Sequence, residues 1–133
     1  MSTILQFLLG AFALLDFGIF GLSNFDNNKF LEFFPQYAST DPKFPRLIGS
    51  FFLMAGIARL HGASNIKEKG AYRIALWSWL IEMLFHGIEI YHGQYELQDP
   101  KIKPVFVLCG AMFIYSTLMY KNILYPKVGN KSM

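Results

Sequence analysis

Residues 71–91 read AYRIALWSWLIEMLFHGIEIY, an apolar stretch that nevertheless carries Arg73, Glu82, His86 and Glu89. Its length matches the roughly 20 residues that cross a bilayer core. A lone segment in lipid must be helical, because every backbone N–H needs a partner within the segment. On a helix, Glu82, His86 and Glu89 are spaced four and three apart and share one face. Ionisable side chains at membrane depth turn toward a bundle interior or another protein. The stretch therefore predicts a membrane helix with one face committed to neighbours.

Three further apolar stretches surround it. They run from about Ile4 to Leu22 (with Gln6 and Asp16), from Leu47 to Ala63 (with Arg59) and from Val105 to Tyr120. Only the last is free of ionisable side chains other than Tyr and Cys. The expectation is an all-α membrane protein, a single domain over residues 1–133 with about four transmembrane helices in a small bundle. Three spans with one interfacial helix is the alternative, because charges weaken three of the four stretches. Composition agrees: 53% of 133 residues are apolar and 16% charged, more apolar surface than so small a soluble domain could bury. The net charge of +3 forms no patch, and basic residues sit between the apolar stretches, so a nucleic-acid partner is not expected. The lone Cys109 excludes an intrachain disulfide framework and reads as a packed or lipid-facing thiol. The first stretch lacks a basic n-region and a clear cleavage site and carries Asp16, so it reads as a retained helix.

The first loop, Ser23 to Arg46, is the longest. A polar run (Ser23 to Lys29) precedes Phe30, Leu31, Phe33 and Phe34, with Pro35, Pro42 and Pro45 beyond. This predicts a short amphipathic helix lying in the interface and ended by Pro35, then an irregular return. The second loop, around Asn65 to Gly70, is short and basic. The third, Gly93 to Pro104, has Pro100 and Pro104 as breakers. Trp77, Trp79, Tyr91, Tyr95, Tyr120 and Tyr125 suit an aromatic belt, with the two Trp somewhat deep. Lys67, Lys69, Arg73, Lys121, Lys127 and Lys131 fall on the side of the termini, against Lys29, Lys43, Arg46, Lys101 and Lys103 opposite. That slight excess points the termini toward the cytosol or matrix.

A carboxylate–His–carboxylate stripe is reminiscent of di-metal bundles, but those carry Glu-x-x-His on two helices. Here a single helix has it, His61 and His92 lie near segment ends, and a closed site needs three or four ligands. No metal or cofactor is expected. No nucleophile, phosphate loop or dinucleotide fingerprint accompanies Glu82 and His86, so the chain does not read as an enzyme. Proton conduction through Asp16, Glu82, His86 and Glu89 defines a third class, a small proton-linked transporter. The second stretch carries Arg46, Gly49, Phe52, Gly56, Arg59 and Ala63 at steps of three or four. Small residues let another backbone approach closely, so this stripe predicts a helix contact, internal or external. Antiparallel registration puts Arg59 roughly 6 Å along the axis from Glu82 and roughly 9 Å from Asp16 at 1.5 Å per residue. Glu82 is the expected ion-pair partner, with Asp16 left to a polar contact or a partner subunit.

Arg46, Gly49, Arg59 and Ala63 are followed without a gap by Ile66, Lys69, Tyr72, Leu76 and Trp77, and then by His86 and Glu89. In this register the span Arg46 to Glu89 resembles the core of the ergosterol biosynthetic protein 28 family, and length and four-span layout agree. Phe51 stands where the family has Trp, the His-to-Glu step is three rather than four, and Asp16 lies where the family's first helix ends Asn-rich. The resemblance implies a non-catalytic scaffold that tethers the sterol C-4 demethylation enzymes at the endoplasmic reticulum membrane.

The reading reached from sequence is a membrane scaffold or accessory subunit holding larger membrane enzymes together, its partners a larger membrane protein complex, the lipid bilayer and bound lipids. The alternative is an accessory subunit of a respiratory or ATP-synthase complex in the mitochondrial inner membrane. Helix-contact or partner-binding roles are expected for Arg46, Gly49, Gly56, Arg59, Ala63, Tyr72, Trp77, Glu82, His86 and Glu89.

Overall fold

The structure, a computed structural model, describes residues 2–38, 41, 43–93, 100 and 102–126. Among the described residues every regular element is helical. Helix α1 spans Ser2–Phe25, α2 Asn27–Phe33, α3 Phe44–Ser64, α4 Lys69–Tyr91 and α5 Ile102–Leu124, with a single 3-10 turn at Pro35–Tyr37 after α2. Pro42, Tyr95, Lys101, Lys127 and Lys131, which entered the loop, aromatic-belt and charge readings, lie outside the described residues.

Each long helix extends past its apolar stretch. Pro45 and Pro104, read from sequence as loop and breaker residues, instead sit in the first turns of α3 and α5. A first-turn N–H has no intrahelical partner, so proline costs nothing there and its fixed φ suits the helix. Asp26 caps α2, its carboxylate accepting from the Lys29 N–H at 3.3 Å.

Length and composition alone make α1, α3 and α5 candidate membrane spans. Helix α4 is not among them, yet its Glu82 and His86 are buried. Between residues 74 and 88, what α4 exposes is Ile74, Trp77, Ile81, Leu84 and Ile88, a strip of apolar side chains three or four apart. It is about 21 Å long at 1.5 Å per residue. Over that length a solvent of acyl chains meets only apolar side chains, so α4 is the fourth candidate span.

Helix α1 lies along α3, and α4 packs against both α3 and α5. One core joins Leu5 and Leu9 of α1 to Tyr72, Ala75 and Trp79 of α4 and Cys109 and Met112 of α5. Cys109 is thus packed inside rather than lipid-facing. A second core gathers Phe30, Phe34 and Tyr37 onto Ile48 and Phe52 of α3. The short helix of the first loop is present, but its apolar face is not free to enter an interface. Phe30 is fully buried and Phe34 rests 5.9 Å from the Phe52 ring, leaving Phe33 exposed. The rings of Phe30 and Phe34 stack on each other at 4.9 Å, which favours the protein side.

Helix α3 approaches both neighbours closely. A Cβ at Gly49 would overlap the Ser23 hydroxyl, and one at Gly56 would meet the Phe17 ring at 2.7 Å. On the other side, a Cβ at Gly62 would collide with the Ala75 methyl. In lipid, helix association depends on such contact rather than on water exclusion. Of the stripe read from sequence, Gly49, Phe52, Gly56 and Arg59 are buried, and its ends are not. Arg46 is exposed, Ala63 is half-buried, and Gly62 makes the close approach to α4.

Two outcomes follow. Single cysteines replacing Asn28 in the first loop and Lys67 in the second should react with an impermeant maleimide from opposite faces of sealed membranes; reaction from one face would remove the four-span topology. Gly49→Val should lower thermal stability in detergent by about 1–3 kcal/mol through overpacking. Gly10→Ala, whose added methyl meets nothing within 4 Å, should not.

Candidate functional site

An arginine side chain inside a bilayer costs at least a few kcal/mol unless it is paired. Arg59 of α3 has no exposed surface, so its charge must be met from within the bundle. Its Nη1 donates to Asp16 Oδ2 of α1 at 2.8 Å, and its Nη2 to Glu82 Oε2 of α4. Its Nε donates to Ser78 Oγ at 3.2 Å, and the Ser78 hydroxyl donates in turn to the Ala75 carbonyl at 2.7 Å. The face of the guanidinium lies 3.9 Å from the centre of the Trp79 ring, and Phe12 stands edge-on to Trp79 at 4.8 Å. In-plane donors and flat face are therefore both engaged, the arrangement a planar guanidinium allows and an ammonium does not.

The Arg59–Glu82 pair is the one the sequence predicts. Asp16, expected to be left to other contacts, also binds Arg59. The axial estimate of roughly 9 Å measured backbone to backbone along the helix. It took no account of the fork, whose separate N–H groups can serve carboxylates on two different helices. One side chain thus joins α1, α3 and α4.

The remaining predicted residues divide. His86, also buried, is one turn along α4, with Nε2 3.8 Å from Glu82 Oε1. Glu89 lies apart from this cluster, accepting from the Tyr37 hydroxyl at 2.9 Å and tying the 3-10 turn to α4. Tyr72 donates to the Ser116 carbonyl of α5. The Ala63 carbonyl accepts from Gln6 Nε2 of α1 at 2.9 Å. Gly49 and Gly56 face α1. Arg46 and Trp77 are exposed, Trp77 by 55%.

Trp79, Ser78 and Phe12 belong to the site and were not singled out from sequence, where Trp79 was assigned to an aromatic belt. A signal existed: stepping back from His86 and Glu82 by threes and fours reaches Trp79, Ser78, Ala75 and Tyr72 in turn. Among the described residues, no group of three His, Cys, Asp or Glu side chains is placed to hold a metal ion. Asp16, Glu82 and His86 do share another feature. They line a cavity of about 400 Å³ together with apolar side chains including Phe34 and Phe52.

Removing one partner of a buried ion pair is strongly destabilising, on the order of 3–5 kcal/mol in soluble proteins. Arg59→Leu, which strands two carboxylates, should lower the yield of folded, monodisperse protein more than Glu82→Leu or Asp16→Leu, which each leave one pair intact. Arg59→Leu with Glu82→Leu should recover part of the loss, and adding Asp16→Leu should recover more. Losses that simply add would show the three residues to be uncoupled.

The model of the Erg28-like protein family matches residues 9–123, a span that contains the whole cluster from Phe12 to His86 and most of all four long helices. No curated protein and no solved structure matches the chain. The family match points toward sterol biosynthesis and gives no support to the mitochondrial alternative. A membrane bundle locked by Arg59 and matched over most of its length in this way belongs to the Erg28-like protein family.

Proposed function

We propose that the chain is a non-catalytic scaffold of the endoplasmic reticulum membrane that holds sterol-biosynthetic membrane enzymes together. The family match over residues 9–123 carries this reading. The use of the ionisable groups supports it. Arg59, Asp16, Glu82 and Ser78 hold one another and three helices, an architectural task that leaves no activated nucleophile among them. The outward surface supports it as well. Along α4 it is apolar from Ile74 to Ile88, with Trp77 as its largest side chain, a face suited to lipid and to the membrane helices of a partner. Partners recognised this way need close fit rather than charge, because lipid offers no hydrophobic drive between helices.

Affinity purification of the tagged full chain in mild detergent should recover sterol C-4 demethylation enzymes as the principal partners. Trp77→Ala, which removes an exposed ring without disturbing the core, should reduce that recovery several-fold at unchanged chain abundance. Recovery of respiratory or ATP-synthase subunits instead would overturn the proposal.

A further inference from the structure

Cations that form no patch along the sequence are gathered by the fold. Hydrogen bonds from Gln6 to the Ala63 carbonyl and from Arg73 to Tyr120 tie the start of α1 to the end of α3 and the start of α4 to the end of α5. Among the described residues, that end of the bundle carries Lys67, Lys69, Arg73 and Lys121 against one carboxylate, Glu68. The opposite end also has four cations, Lys29, Lys43, Arg46 and Lys103. There Asp26, Glu32, Asp41 and Glu89 offset them. Cations thus divide evenly between the two ends and carboxylates do not. Lys67, Lys69, Arg73 and Lys121 are all exposed, and no ion pair joins any of them to a carboxylate among the described residues.

Of the four, Arg73 is held in place. Its Nε donates to the Tyr120 hydroxyl at 3.2 Å, and the Tyr120 ring stands edge-on to that of Tyr72 at 5.6 Å. Tyr72 is fixed in turn by its bond to the Ser116 carbonyl. These contacts hold the guanidinium at the seam between α4 and α5, while its two Nη groups donate to nothing among the described residues. Lys69 lies one turn earlier on the same face of α4, and Lys121 follows Tyr120 on α5. The Tyr120 hydroxyl accepts from Arg73 and keeps its own proton to donate. The seam therefore offers positive charge and hydrogen-bond donors, the complement of a phosphate. Depth decides what carries the phosphate. Arg73 immediately precedes Ile74, where the exposed apolar strip of α4 begins, and Trp77 stands one turn deeper. On α5, exposed Leu118 and Ile114 lie deeper than Tyr120 in the same way. We propose that this seam binds one anionic phospholipid, its phosphate against Arg73 and Tyr120 between Lys69 and Lys121, its acyl chains along Ile74, Trp77 and Leu118. Positive charge in excess of the single carboxylate Glu68 attracts an anionic headgroup and repels the choline of a zwitterionic one. Each basic side chain at a membrane surface strengthens attachment to anionic lipid about fivefold. The site does not depend on the scaffold reading above.

The test is native mass spectrometry of the purified full chain in detergent, titrated with dioleoylphosphatidylserine or dioleoylphosphatidylcholine. Phosphatidylserine should saturate at one tightly held molecule and bind about tenfold more tightly than phosphatidylcholine. Arg73→Gln should weaken phosphatidylserine binding about fivefold, and Lys69→Gln combined with Lys121→Gln at least as much. Tyr120→Phe keeps the ring against Tyr72 and removes the hydroxyl that holds Arg73, so it should weaken binding about threefold, a smaller loss than that of the charge itself. The charged side chains are exposed, so those variants should stay monodisperse with unchanged thermal unfolding. Lys29→Gln combined with Lys43→Gln removes two cations from the opposite end and should leave binding unchanged. Equal binding of the two lipids, or phosphatidylserine binding that survives Arg73→Gln, overturns the site. An equal loss from the Lys29 and Lys43 double variant shows attraction to net charge and overturns it as well. Displacement of the lipid by millimolar inorganic phosphate shows a site for soluble phosphate and overturns the lipid as its ligand.

Discussion

A full positive charge placed among apolar helices has to be surrounded, and the position of Arg59 on α3 governs how the others stand. Asp16 brings α1 to it, Glu82 and Ser78 bring α4, and the Trp79 ring closes over its face. Desolvation makes any missing partner expensive, so the three helices are held in one mutual register. The glycines of α3 serve the same requirement. The Asp16–Arg59 bond depends on α1 lying close, and Gly49 and Gly56 permit that; Gly62 does the same for α4. Helix α5 adds no charged side chain to the cluster; its Cys109 thiol lies against Glu82, and the helix is further attached through Tyr72 to the Ser116 carbonyl and through Cys109 and Met112 in the apolar core.

Polar side chains turned inward leave an outer surface that is almost uniformly apolar along the helices, and this decides what the molecule can do with it. Among the described residues, most of the chain lies in these helices, and their outward faces are what a partner in the membrane would meet. Among the described residues, the cavity at Asp16, Glu82 and His86 is where the charge cluster and the apolar exterior meet. The same carboxylates that neutralise Arg59 also line that cavity.

Much of this architecture is legible in the sequence because its causes are local. Segment length sets four helices, and the period of three and four places Glu82 with His86 and Gly56 with Arg59. The insertion cost of a charge demands a partner for Arg59, and a short second loop makes Glu82 the near one. The register from Arg46 to Glu89 also carries the family resemblance that the match over residues 9–123 establishes. The prolines were misread for a local reason too. Pro45 and Pro104 break a helix only in its interior, and the sequence does not mark where the first turn begins.

Tertiary structure alone decided which apolar residues meet protein and which meet lipid. Trp77 and Trp79 are two positions apart and equally apolar, yet one is exposed and the other covers Arg59. Phe30 and Phe34 turn onto α3, and Phe33 between them turns away. In water, burial and apolarity are tied together by the hydrophobic effect, so a pattern of side chains announces its inward face. In a bilayer the lipid is as apolar as the core, and that tie is lost. What remains to fix the inward face is fit and polarity, and these emerge only when the helices are assembled around Arg59.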